Sequence, residues 1–126
     1  MSSERSAASR PAKFDISCHC GNVQLEVTAE LDEVVECNCS LCLRSGFLHW
    51  YVAPEQVKLK NQSRLLSTYC WRSATGGQHF CTTCGIAVIR TSTQYPPPVS
   101  INARCVEKVD ISSLKIRPYD GRHAYP

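Results

Sequence analysis

The chain has no apolar run near the roughly 20 residues needed to cross a bilayer, so no membrane partner is expected. Its first thirteen residues have no apolar core, which excludes a secretory signal there and makes a reducing, cytoplasmic compartment the expectation. Charge of one sign is scarce too: the net value is +3 over 126 residues, and the Lys and Arg residues are scattered. Direct nucleic-acid binding draws on a basic stripe, so no nucleic-acid partner is expected. There is no long amphipathic helical period, and no internal repeat apart from recurring groups of cysteine. What remains is a chain of ordinary composition, 43% hydrophobic and 20% charged, sized for one domain with a modest core.

Cysteine is what the chain holds in excess. Its nine cysteines cannot all pair as disulfides within one chain, because nine is odd. In a reducing compartment thiols stay free or bind metal. Three of them fall within six residues, Cys37-Asn38-Cys39-Ser40-Leu41-Cys42. Thiolates this close need a cation to hold them together, and a soft divalent metal such as zinc suits sulfur. Zinc held by three protein thiolates keeps one position for water or a substrate atom.

Residues 1–13, rich in Ser, Ala, Arg and Lys, read as a disordered tail ahead of a single zinc-binding domain over residues 14–126. Phe14 to Val27 opens that domain, with Val23, Leu25 and Val27 alternating with Asn22, Gln24 and Glu26 in the period of a half-buried strand. Further strands are expected near Leu31–Glu36, Phe47–Ala53, Val57–Lys60, Leu65–Trp71, Ile86–Thr91 and Ser100–Val106. Gly76-Gly77 reads as a turn, Tyr95–Pro98 as a rigid proline loop, Asp110–Leu114 as one capped helical turn, and Arg117–Pro126 as irregular. The fold class is therefore mostly β.

Two further cysteine groups flank the central one. Cys18-His19-Cys20-Gly21 and Cys81-Thr82-Thr83-Cys84-Gly85 both have the look of metal knuckles, with glycine where a tight left-handed turn is needed. Joined, Cys18, Cys20, Cys81 and Cys84 make a closed four-thiolate site of the kind that holds structure. Cys37, Cys39 and Cys42 are then left with three ligands. Cys70, Cys105, His19, His49 or His79 would close that site if one of them supplied a fourth. Zinc with three thiolates carries a formal charge of about −1, and about −2 with a fourth thiolate. Arg44, Arg72, Arg90 and Arg104 are the candidate cations to offset it.

These three groups in this order, with Arg44 and Gly46 after the central one and Phe80 before the third, resemble the glutathione-dependent formaldehyde-activating enzyme family, whose domain is shared with centromere protein V. Ile101-Asn102-Ala103-Arg104-Cys105 followed by Val109-Asp110 is similar to the family's closing strand and turn, and the likeness runs from about Phe14 to Asp120. It implies a β-tent of small antiparallel sheets stapled by zinc. It implies two zinc ions per chain, a structural one on Cys18, Cys20, Cys81 and Cys84 and a catalytic one on Cys37, Cys39 and Cys42. The implied activity is that of a carbon–sulfur lyase, which joins glutathione and formaldehyde into S-hydroxymethylglutathione or reverses that step.

On this reading the partner is a small-molecule thiol, a glutathione adduct, and a homodimer is left open. His49 is the side chain suited by type to move the proton the reaction requires, since an imidazole titrates near neutrality. Arg44, beside the metal group, is suited to bind a substrate carboxylate. Two other functions compete: a zinc-stapled thiol-binding or protein-interaction module without turnover, and a lyase or decarboxylase that uses zinc-bound water on another small substrate.

Overall fold

The structure, a computed structural model, describes residues 10–60, 66–70, 76–92 and 97–123. All nine cysteines and all four histidines lie within them. The expected tail lies outside the described residues as far as residue 9, as do Arg72 and part of the proline loop.

Among the described residues the chain forms ten strands and one α-helix. The strands are β1 (Ala12–Ser17), β2 (Gln24–Ala29), β3 (Glu33–Cys37), β4 (Leu48–Val52), β5 (Val57–Leu59), β6 (Leu66–Tyr69), β7 (Gly76–Cys81), β8 (Ala87–Ser92), β9 (Val99–Asn102) and β10 (Lys115–Tyr119). The helix α1 spans Ser40–Ser45, and short 3-10 turns occupy Pro54–Gln56, Ala103–Cys105 and Ile111–Ser113. One sheet has the order β1-β2-β5 and the other β10-β3-β4-β9-β8-β7-β6. Neighbours are antiparallel except β3 and β10, which run parallel. The mostly β class is thus as expected. No helix among the described residues is long and apolar enough to cross a membrane.

Period-two alternation sets which way the strands face. Leu48, Trp50 and Val52 of β4, with Val99 and Ile101 of β9, turn toward one core, where they meet Ile16, Leu25 and Val27 of the smaller sheet. Trp50 anchors it, with Phe14 set edge-on at 5.4 Å and its indole N–H donating to the Glu30 carbonyl at 2.8 Å. The register puts His49 opposite Asn102 and Tyr51 opposite Ser100, so these four share the other face. The sheet therefore separates the apolar core from a polar surface, and it is this second surface that carries the central cysteines.

Several elements differ from expectation. Gly76-Gly77 is the start of β7 rather than a turn. The glycine is there for close approach: at Gly77, φ is +142°, and a Cβ would collide with the carbonyl of Tyr69 on β6. The strand expected over Ser100–Val106 ends at Asn102, whose side chain caps a 3-10 turn by accepting from the Arg104 N–H. Arg117–Tyr119 is not irregular but part of β10, an exposed edge strand that accommodates Pro118. β1 begins at Ala12, and α1 has no counterpart in the sequence reading. The capped turn after Asp110 is found, its carboxylate accepting from the Ser112 N–H at 3.1 Å.

Candidate metal centres

Both flanking cysteine groups sit on hairpin tips. The turn between β1 and β2 carries Cys18 and Cys20, and the turn between β7 and β8 carries Cys81 and Cys84. The two turns are built alike. The Cys18 N–H donates to the Val23 carbonyl and the Cys81 N–H to the Ile86 carbonyl, in each case five residues on. Gly21 and Gly85 close the turns at φ +87° and +82°, the left-handed backbone the sequence calls for. The Val23 N–H points at Cys18 Sγ and the Thr83 N–H at Cys81 Sγ, both at 3.3 Å. Such donors favour the thiolate. Asn22 Nδ2 donates to Thr83 Oγ1 at 3.2 Å and ties one tip to the other.

Together the tips place four sulfurs within 4.8 Å of one another. A tetrahedral zinc with bonds of about 2.3 Å holds its sulfurs about 3.8 Å apart. Cys18 and Cys20, and Cys20 and Cys81, are 3.7 Å apart, so this donor set fits the metal in number, chemistry and spacing.

The central group is a separate cluster. β3 ends in Cys37, Cys39 forms the N-cap of α1, and Cys42 lies in its first turn. Cys39 Sγ accepts the Cys42 N–H and Cys37 Sγ the Cys39 N–H, both at 3.4 Å. Gly46 ends the helix in left-handed backbone, and its carbonyl is held by Arg104 Nε at 3.0 Å. The three sulfurs lie within 4.8 Å of one another, and all three residues are buried.

The three thiols differ sharply in how readily they ionise. Hydrogen bonds from the Cys37 and Cys42 thiols hold Cys39 down at about 2. Cys42 is pushed up by its hydrogen bonds with Cys37 and Cys39, and Cys37 by its bond with Cys39 against an opposing one with Cys42, with burial adding to both. Three thiols that ionise together only if positive charge is brought among them are a fit for a divalent metal.

Among the described residues no fourth Cys, His, Asp or Glu joins these sulfurs. Cys70 is exposed just past the end of β6. The buried Cys105 thiol donates to the Ala87 carbonyl, and burial pushes it up to about 12. His19 is exposed on the first hairpin tip. His79 has both ring nitrogens occupied, by Thr68 Oγ1 and Thr91 Oγ1, each at 2.7 Å. His49 does come to the site. Its Nε2 lies 3.2 Å from Cys42 Sγ, but it approaches that sulfur alone and stands outside the group of three. Burial and the charge of Arg90 lower its pKa to about 4. Arg44 is exposed, its Nη1 donating to the Ser40 carbonyl at 3.1 Å.

The sequence reading did not find the support behind the cluster. Asn38, between two cysteines, is clasped by the C-terminal segment: its N–H donates to the Tyr119 carbonyl, its Nδ2 to Asp120 Oδ1, and its Oδ1 accepts the Arg122 N–H. His123 and Asn38 in turn hold the Asp120 carboxyl below its usual range. No local signal joins residues more than 80 positions apart. Replacing Asn38 by alanine removes both side-chain bonds and is expected to weaken metal binding at the central cluster about 10-fold, the lower end of what partners of metal ligands contribute. Competition against a chromophoric chelator should then show one early and one unchanged release phase. Two unchanged phases would mean the clasp is irrelevant to the metal.

Comparison with known proteins agrees with this geometry. A crystal structure of a Rhodobacter sphaeroides protein superposes with a TM-score of 0.71 at 28% identity, covering 82% of this chain and 97% of that one. Residues 13–120 match the family described as "Glutathione-dependent formaldehyde-activating enzyme", a span that takes in both cysteine clusters, the polar sheet face and the strand that backs Cys37. On that match, the chain belongs to the glutathione-dependent formaldehyde-activating enzyme family.

Proposed function

We propose that the chain is a zinc-dependent carbon–sulfur lyase acting on a glutathione adduct of the S-hydroxymethylglutathione type. The observation that carries this reading is the contrast between the clusters: four mutually close sulfurs in one, three in the other. The first, Cys18, Cys20, Cys81 and Cys84, is a closed set suited to structural zinc. The second, Cys37, Cys39 and Cys42, is the set for a zinc with room for a substrate atom. When bound there, zinc supplies Lewis-acid polarisation of a thiol sulfur or hydroxymethyl oxygen.

The chain's own residues do the rest. The N-cap of α1 and the 3.4 Å N–H bonds to Cys37 and Cys39 Sγ fix where the central sulfurs lie. Phe47 and Tyr51 pack against the His49 ring, with centroids 4.8 and 5.6 Å away. His49, whose Nε2 lies 3.2 Å from Cys42 Sγ, is the proton-handling group of this reading. Arg44, exposed on the helix that carries Cys42, is its carboxylate-binding group. The partner is then a small thiol in the cytoplasm, and neither nucleic acid nor membrane is required.

Mixing zinc-loaded protein with glutathione and formaldehyde and following adduct formation by NMR exchange tests the activity. Acceleration over buffer that disappears on chelation is expected. Glutathione binding without acceleration would make the chain a thiol-binding module. Replacing Arg44 by alanine should raise KM about 10-fold with kcat little changed, as for a lost binding contact worth about 1.4 kcal/mol. An unchanged KM would remove Arg44 from the site.

A further inference from the structure

His49 is held at both nitrogens, and the partners differ in kind. Nε2 faces Cys42 Sγ at 3.2 Å, and Nδ1 lies 2.9 Å from Ser100 Oγ. Ser100 is fully buried and also receives the Nε–H of Arg90 at 3.1 Å. Arg90 is itself anchored, its Nη2 donating to the Pro97 carbonyl at 3.2 Å and its guanidinium lying 6.0 Å from the Tyr51 ring centroid. Strand register accounts for the meeting: Ser100 on β9 pairs with Tyr51 on β4 and with Arg90 on β8.

Donor and acceptor rules give this chain of contacts a direction. A guanidinium has hydrogens to give and no lone pair to take one, so Arg90 donates to Ser100. The serine hydroxyl has one hydrogen of its own, and the acceptor the described residues offer it is His49 Nδ1. A neutral imidazole that accepts at Nδ1 carries its proton on Nε2. That proton points at Cys42 sulfur. The opposite tautomer would aim an Nε2 lone pair at the sulfur and leave a buried serine hydrogen without its partner. The Tyr51 ring, stacked on the imidazole at an interplanar angle of 12°, and the tilted Phe47 ring pack against it and restrain its plane.

We propose that Arg90 and Ser100 are positioning residues that hold His49 as the Nε2–H tautomer, so that His49 donates a hydrogen bond to the Cys42 thiolate and stays out of the metal's ligand set. The inference rests on the reading of Cys37, Cys39 and Cys42 as a metal site. Within that reading it explains why a histidine so near three thiolates leaves the fourth position to the substrate. It also brings the positive charge of Arg90 to bear on an anionic cluster through two polar groups. A sulfur that accepts an N–H bond gives less electron density to its metal, and partners of this kind tune metal ligands.

The test is a long-range proton–nitrogen correlation spectrum of the zinc-loaded full chain with labelled histidine, the His49 signals assigned by their loss in His49→Gln. Protonation at Nε2 with a bare Nδ1 is expected. Protonation at Nδ1 would overturn the proposal. Ser100→Ala should then mix or invert the tautomers and shift the thiolate charge-transfer band of the cobalt-substituted protein. Ser100→Thr, which keeps the hydroxyl, should restore both. If Ser100→Ala retains Nε2–H alone and an unmoved band, serine does not set the tautomer; if that variant fails to fold, Arg90→Gln answers the same question. None of these readouts needs turnover. A wrong tautomer therefore leaves the lyase reading standing, and absent turnover with an Nε2–H ring does the reverse.

Discussion

Replacing Cys81 by serine should abolish cooperative folding. Cys81 is fully buried, and its sulfur lies 3.7 Å from that of Cys20, 61 residues earlier. A metal held there joins the tip of the smaller sheet to the tip of the larger one. It closes a long loop, for which the unfolded chain has much entropy to lose. Structural zinc in small domains contributes apparent free energies of about 10–16 kcal/mol. A domain of this size has a net stability of about 5–15 kcal/mol, so losing most of the first term removes the second. Near-ultraviolet circular dichroism and calorimetry should show no thermal transition. A melt within a few degrees of the parent would mean that the apolar core around Trp50 suffices by itself.

Replacing Cys39 by serine should have the opposite profile: a standing fold and an activity lost by more than about 100-fold. Even partners of metal ligands are worth 10- to 100-fold, and Cys39 is a ligand in the proposed site. The three central cysteines and Leu41 form their own small cluster, apart from the main core, so the sheets do not depend on them. Serine also retains an oxygen to cap α1 at the Cys42 N–H. Metal analysis should fall by one ion per chain, with the melting temperature lowered by only a few degrees. If Cys39→Ser and Cys81→Ser unfold the chain equally, the central cluster is a structural one.

The two hairpin knuckles were legible in the sequence because their signal is local: two cysteines at knuckle spacing, a glycine for the left-handed turn, and an alternating strand beside them. The strand at Gln24–Ala29 followed from the same alternation. Elements without a local period were not legible. α1 has six residues, too few to display a helical repeat, and its N-cap is a cysteine rather than Ser, Asp or Asn. β10 is exposed along its whole length and contains Pro118, so nothing in its composition distinguishes it from a loop; its pairing with β3 is a tertiary fact.

Within the site, the cysteines could be sorted by spacing, but the surroundings of His49 could not. Its position is set by pairing between strands some 50 residues apart. One sequence signal does exist. Ser100 and Asn102 occupy alternate positions in an otherwise apolar strand, and polar groups buried at that period mark a sheet face that serves something other than the core. Asn102 uses both ends of its amide there, accepting from the Leu48 and Arg104 N–H groups and donating to the Ala87 carbonyl.

The most direct test of the metal-site reading is a crystal structure of the zinc-loaded protein soaked with glutathione. The expected result is one metal ringed by Cys18, Cys20, Cys81 and Cys84, and a second bound by Cys37, Cys39 and Cys42 with the glutathione sulfur as its fourth ligand. A fourth protein side chain on that second metal, with no glutathione sulfur there, would contradict it.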